Sequence, residues 1–114
     1  MSAPPPTDYV EFSVSDIART KAFYSAVFGW AFADYGPEYT SFTGNGLGGG
    51  FRSDLQPRPG GPLVVFHVDD LEATLARATG AGAPIVKPIF SFPGGRRFEF
   101  QDPDGYDIAA WRQE

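Results

Sequence analysis

Two side chains in this 114-residue sequence have the type and setting for acid–base chemistry: Glu11 and His67, the latter the single histidine. Glu11 stands in Tyr9-Val-Glu-Phe-Ser-Val14. There Val10, Phe12 and Val14 form an apolar face, and Tyr9, Glu11 and Ser13 a polar one. A carboxylate in this place has two readings. It is a partner for an arginine or for backbone amides, or it is a polar anchor or general base whose pKa is raised by partial burial. His67 lies in a second alternating segment, on the same face as Leu63 and Val65. It is either a hydrogen-bonded wall residue or a group that binds ligand or moves a proton. One histidine and no cysteine exclude a multi-histidine or thiolate metal site within one chain, and also a cysteine nucleophile. A metal held by His67 and Glu11 would need ligands from a second chain.

Two motifs resemble sites but read better as structure. Gly46-Leu-Gly-Gly-Gly50 lacks the Gly-Lys-Ser/Thr ending and the following helix of a phosphate loop. Its glycines are expected to allow close backbone approach, or a bulge, within a strand. Asp102-Pro-Asp-Gly105 is not a calcium loop and is expected to be a turn between strands.

The elements that position these residues come from an internal repeat. Shifted by 54 residues, Val10, Phe12, Val14, Asp16, Thr20 and Ala22 fall on Val64, Phe66, Val68, Asp70, Thr74 and Ala76. Each copy reads as an alternating strand, an aspartate cap and a helix. In the first copy, Tyr9–Val14 is a strand, Ile17–Phe28 a helix stopped by Gly29, and Trp30–Ala33, Tyr39–Thr43 and Leu47–Arg52 are strands. Gly44-Asn45-Gly46 is a turn signal. In the second, Leu63–Val68 is a strand, Leu71–Thr79 a helix, Ile85–Val86 a short strand, and Phe98–Gln101 and Tyr106–Arg112 the closing pair. Ile89–Gly95 is either a flap or an edge loop. The order βαβββ, twice, predicts an α+β fold with mixed sheets. The expected organisation is an extended tail, 1–7, and a single domain, 8–112. Within it, module one is 8–52, a Pro/Gly-rich linker is 53–62, and module two is 63–112.

Composition narrows the functional classes. With 11 Phe, 5 Tyr and 2 Trp, the chain is too aromatic for disorder, and its 14 Gly and 11 Pro argue against a helix bundle. The net charge of −5 and the lack of a Lys/Arg tract argue against a nucleic-acid partner. No apolar run approaches a membrane span, and the N-terminus does not read as a signal peptide, so a cytoplasmic protein is expected.

The residues Val14-Ser-Asp-Ile, Ala22-Phe-Tyr, Val27-Phe-Gly-Trp30, Val68-Asp-Asp-Leu, Ala81-Gly-Ala and Phe98-Glu-Phe-Gln-Asp-Pro-Asp-Gly-Tyr-Asp-Ile carry a resemblance. In this order they make the chain similar to the vicinal oxygen chelate superfamily of glyoxalases, bleomycin-resistance proteins and extradiol dioxygenases. A narrower likeness is to small glyoxalase-like proteins, through Glu11, Phe28-Gly-Trp30, Gly48-Gly-Gly50 and Trp111. The resemblance implies a curved mixed-sheet cup built from two βαβββ modules, and a homodimer. It also places metal ligands, in metal-dependent members, at positions held here by Tyr9, Leu63, Ala109 and one of Gly48–Gly50. None of these is a good ligand for a divalent ion. No metal and no cofactor are therefore expected. Tyr9 and Trp111 would instead line the vacated space.

The leading expectation is a metal-free protein that binds a small apolar or aromatic molecule in an aromatic-lined cup. Tyr9, Ser13, Phe42, Leu63, Val65, Ala109 and Trp111 are its candidate ligand contacts. Two alternatives stay open: a metal-independent isomerase or lyase using Glu11 with His67, and an accessory or regulatory dimerisation module.

Overall fold

The structure, a computed structural model, describes residues 3–43 and 47–114. The turn expected at Gly44–Gly46 and the first two residues of the tail lie outside the described residues. The chain runs β1 (Tyr9–Ser13), α1 (Ile17–Phe28), β2 (Ala31–Asp34), β3 (Tyr39–Thr43) and β4 (Gly48–Arg52). It continues with β5 (Val64–His67), α2 (Leu71–Gly80), β6 (Ile85–Phe92), β7 (Gly95–Gln101) and β8 (Asp107–Gln113). The fold is α+β, with one sheet in the order β1-β4-β3-β2 and the other in the order β5-β8-β7-β6. In each, the first strand runs parallel to the last and the remaining pairs are antiparallel. The repeat seen in the sequence is therefore also a repeat of topology.

Both helices start as their aspartates dictate. Asp16 accepts from the Arg19 amide and Asp70 from the Ala73 amide, each at 3.0 Å. Gly29 ends α1 in the left-handed region at φ 72°, where a side chain would be strained. The apolar strand faces and the helices close over one core that spans both modules. Phe12, Val14, Tyr24, Val27 and Phe51 from module one meet Leu71, Phe98, Phe100 and Ile108 from module two. Burial of this shared surface is what neither module could achieve alone. Among the described residues no helix is long and apolar enough to cross a membrane.

β4 shows why its glycines are needed. A Cβ at Gly49 would run into the Val10 carbonyl and the Phe42 ring, and one at Gly50 into the hydroxyls of Tyr39 and Tyr9.

One expectation needs correction. The short strand at Ile85–Val86 and the flap or edge loop at Ile89–Gly95 are replaced by one eight-residue strand, β6, and a turn into β7. Pro88 interrupts the alternating pattern and so hides the strand. At an edge position a missing amide is tolerated, and β6 is an edge strand whose register shifts on both sides of Lys87.

Candidate functional site

β5 is an edge strand, so its side chains reach solvent on both of its faces near the chain's centre. A hollow of about 550 Å³ lies along it. Trp30 and Phe42 form its aromatic floor. Their rings stack at 3.9 Å between centroids and 3° between planes. Phe66 stands edge-on to Trp30 at 5.1 Å and tilts against Phe28. Val65 and Leu47, 41% exposed each, also line it. His67, Asp69 and Arg77 supply its polar lining. An apolar aromatic floor with a few polar groups is the usual make-up of a small-molecule site.

His67 connects this hollow to the outer face of the second sheet. Cross-strand register aligns His67 with Trp111, Trp111 with Arg97, and Arg97 with Phe90. The contacts follow that register. The His67 ring meets Trp111 edge-on at 5.2 Å, Trp111 tilts against Phe92 at 6.2 Å, and the Arg97 guanidinium lies 5.3 Å from the Phe90 centroid. The next row aligns Val65 with Ala109, Ala109 with Glu99 and Glu99 with Lys87.

Glu11 sits elsewhere. It lines a separate recess of about 320 Å³ with Tyr35, Glu38, Tyr39, Arg52 and Asp54. Tyr39 donates to one carboxylate oxygen at 2.9 Å, and Arg52 donates to the other at 3.2 Å. The Tyr9 and Tyr39 hydroxyls share a hydrogen bond. Burial, with Tyr9 and Glu11 next to it, pushes the Tyr39 phenol above its ordinary range. Arg52 also grips Asp54 through Nε and Nη2, both at 2.7 Å, and holds that carboxyl below its ordinary value. Glu11 is thus an acceptor in a network already supplied with donors, which matches the paired-carboxylate reading of the sequence. It shares neither a hydrogen bond nor a hollow with His67.

The candidate ligand contacts are dispersed. Phe42, Val65 and His67 come together in the large hollow, while Trp111 lies outside its lining, edge-on to His67. Leu63 lies just before β5 and is 36% exposed. Tyr9 belongs to the Glu11 network. Ser13 and Ala109 are buried, and the Ser13 carbonyl accepts from the Tyr106 hydroxyl. Of the four positions that the resemblance marks for metal ligands, only Tyr9 has a side-chain donor atom, and that hydroxyl is bonded to Tyr39. These residues do not fit a divalent ion. Among the described residues no three of His, Asp and Glu stand together as a metal-binding group.

Sequence reasoning missed Arg97, Phe90 and Phe92, and also Tyr39 and Arg52 as partners of Glu11. Strand register could have found the first three had β6 been read at its full length. It also missed a clasp between modules. Tyr24 on α1 donates to Asp102 at 2.8 Å, and Ser15 and Arg19 reach Asp104 at 2.6 and 3.0 Å. Burial raises the Asp102 pKa, and it raises that of Tyr24 well above the ordinary phenol value.

Comparison with known proteins fits this architecture. Residues 7–110 match the family model for the Glyoxalase/Bleomycin resistance protein/Dioxygenase superfamily. CFP32 of Mycobacterium bovis is 26% identical over 116 residues, covering 92% of this chain and 44% of that protein. DnrV, an anthracycline biosynthesis protein of Streptomyces peucetius, is 29% identical over 132 residues, covering 97% of this chain and 48% of its own. The chain spans about half the length of the curated relatives it matches. Among solved structures, a glyoxalase/bleomycin resistance protein/dioxygenase family enzyme from Burkholderia phytofirmans superposes with a TM-score of 0.83. It is 19% identical and covers 96% of this chain and 100% of that one. TioX from Micromonospora sp. ML1 gives a TM-score of 0.78 at 24% identity, covering 96% and 100%. At these identities the solved structures speak to the fold alone.

Proposed function

Because the chain belongs to the Glyoxalase/Bleomycin resistance protein/Dioxygenase superfamily, we propose that it binds a small, flat aromatic molecule, without a metal, in the hollow beside β5. The observation that carries this reading is the aromatic and aliphatic lining, Phe28, Trp30, Phe42, Phe66, Val65 and Leu47, of a hollow of about 550 Å³. Trp30 already stacks on Phe42 and on Tyr24, so a planar ring gains apolar burial and edge contacts against this lining. The relative named for anthracycline biosynthesis supports the same class, since anthracyclines are flat polycyclic aromatics.

Two features favour binding over acid–base catalysis. Both Glu11 oxygens already accept, one from Tyr39 and one from Arg52, which ties the carboxylate into the protein's own network. His67 has no carboxylate within hydrogen-bonding reach among the described residues to orient it as a base. The metal-independent reading rests on the misfit of Tyr9, Leu63, Ala109 and the β4 glycines as ligands. A homodimer belongs to the same proposal. Tyr9 and Leu63 are large side chains, 45% and 36% exposed, on or beside the first strands of the two sheets, and a second copy would cover them.

Titration with 1-naphthamide, followed by tryptophan fluorescence, tests the reading. Saturable quenching is expected. It should be lost in Val65→Trp, which fills the hollow from an exposed position and leaves the core intact. Absence of saturable binding to the native chain, or unchanged binding in Val65→Trp, would overturn the proposal.

A further inference from the structure

We propose that Tyr106 is a latch on the linker between the modules. It holds the linker at their seam, so that module one pairs with module two of its own chain and not with that of a second copy. The latch stands apart from the ligand reading above and decides how the hollow is built. Trp30 and Phe42 of module one and Val65, His67 and Arg77 of module two line it from within one chain.

One hydroxyl joins three segments. Tyr106, just before β8, accepts from the Arg58 amide of the linker at 2.7 Å and donates to the Ser13 carbonyl of β1 at 2.7 Å. Pro57 and Pro59 carry no amide, so Arg58 alone of these three residues can make that bond. Tyr106 is itself fixed. Its amide donates to Asp102 Oδ1 at 3.0 Å, and its ring stands edge-on to Phe12 at 5.2 Å. The Pro59 ring lies beside Gly105, 4.0 Å from where a Cβ would stand. The other end of the linker is tied to module one. The Ser53 amide donates to the Glu38 carbonyl at 3.0 Å, and Arg52 grips Asp54.

The shared core is what makes a latch matter. Phe12, Tyr24 and Phe51 of module one meet Leu71, Phe98 and Ile108 of module two. Exchange with a second copy would rebuild the same core, so the balance between closed and exchanged forms rests on the linker. Between its two ties, Ser53 and Arg58, the linker reaches about 18 Å; released at Arg58, it runs from Ser53 to Leu63 and reaches about 36 Å. Two folded units side by side have centres at least 25 Å apart, the narrowest extent of the molecule. The tied linker falls short of that span, and the released one exceeds it.

Spin labels on Ala18→Cys and Ala76→Cys, both exposed positions in a chain without cysteine, report the separation of α1 and α2 by double electron–electron resonance. Dilution of the labelled chain into an excess of unlabelled chain restricts the readout to distances within one chain, whatever the oligomeric state. After refolding from urea at millimolar concentration, the native linker should give one short distance. Tyr106→Phe removes the hydroxyl and keeps the ring. Arg58→Pro removes the amide and leaves the bond from Tyr106 to Ser13. Each should add a longer distance, with an exchanged fraction roughly fivefold or more above the native one, the ratio that one net hydrogen bond supplies. That fraction should grow with protein concentration during refolding. Arg58→Ala keeps the amide and should match the native chain. A single short distance in Tyr106→Phe and Arg58→Pro overturns the latch, as does exchange in only one of them, or equal exchange in Arg58→Ala. Should Tyr106→Phe not fold, Arg58→Pro decides against Arg58→Ala. Each of these results leaves the ligand reading, tested with 1-naphthamide, standing.

Discussion

Removing one oxygen atom tests whether the two modules hold each other. Tyr24 is fully buried on α1, and its hydroxyl donates at 2.8 Å to Asp102, a buried carboxylate in the turn between β7 and β8. Tyr24→Phe deletes that donor and fills the space with the same ring. Asp102 Oδ1 still accepts from the Asp104 and Tyr106 amides, at 2.9 and 3.0 Å, but Oδ2 loses its partner inside the protein. A hydrogen bond to a charged group contributes about 1.5–3 kcal/mol. Unfolding entropy of about 2.1 cal/mol/K per residue, applied to 114 residues, makes 1 kcal/mol worth about 4 °C. The expected fall in Tm at pH 7 is therefore roughly 6–12 °C by calorimetry.

The same variant carries a pH signature. Burial raises the Asp102 pKa, and the Tyr24 hydrogen bond lowers it. A carboxyl raised in the folded state favours folding below its unfolded value, and that contribution is lost as pH rises through the folded value. Tyr24→Phe removes the lowering influence and raises the folded pKa further. Its cost should thus be larger at pH 7 than at pH 2.5, well below the ordinary carboxyl value, where Asp102 is protonated in both states. In an Asp102→Asn background the same change should cost less than about 1 kcal/mol, since no buried charge remains. A fall in Tm of 1 °C or less at pH 7, or an equal fall at both pH values, would refute the reasoning.

Other consequences are simpler. Gly50→Val places a branched side chain against the Tyr39 and Tyr9 hydroxyls and should cost about 1–3 kcal/mol, read from the urea midpoint. Phe42→Ala empties one side of the stack with Trp30 at a site 2% exposed, and should cost about 3–5 kcal/mol by the same measurement. Glu11→Gln leaves Arg52 paired with Asp54, and the Glu11–Arg52 pair is about a third exposed on both sides. A change below about 1 kcal/mol in urea is expected.

The sequence made the fold legible wherever a local rule decides it. The match of Val10, Phe12 and Val14 to Val64, Phe66 and Val68 foretold β1 and β5, and the aspartates foretold both helix starts. It failed at β6 because Pro88 and the register shifts around it break the period-two pattern. The site was legible only in part. Phe42, Val65 and His67 were named and do share a hollow. Arg97 went unnoticed because its meaning depends on Phe90, seven positions earlier on a strand that the pattern conceals. The partners of Glu11 come from β3 and β4, at separations of 28 and 41 residues, which no periodicity can read. Both omissions have one cause. Sheet register joins residues distant in sequence, and it becomes visible only once the strands are placed.

The most direct test of the account is an amide and indole NMR titration of the native chain with 1-naphthamide. The account predicts shifts concentrated at the Trp30 indole and at the Val64–His67 amides, with Glu11, Tyr39 and Arg52 unmoved. Shifts centred on Glu11 and Tyr39 instead, or no saturable shifts at all, would contradict it.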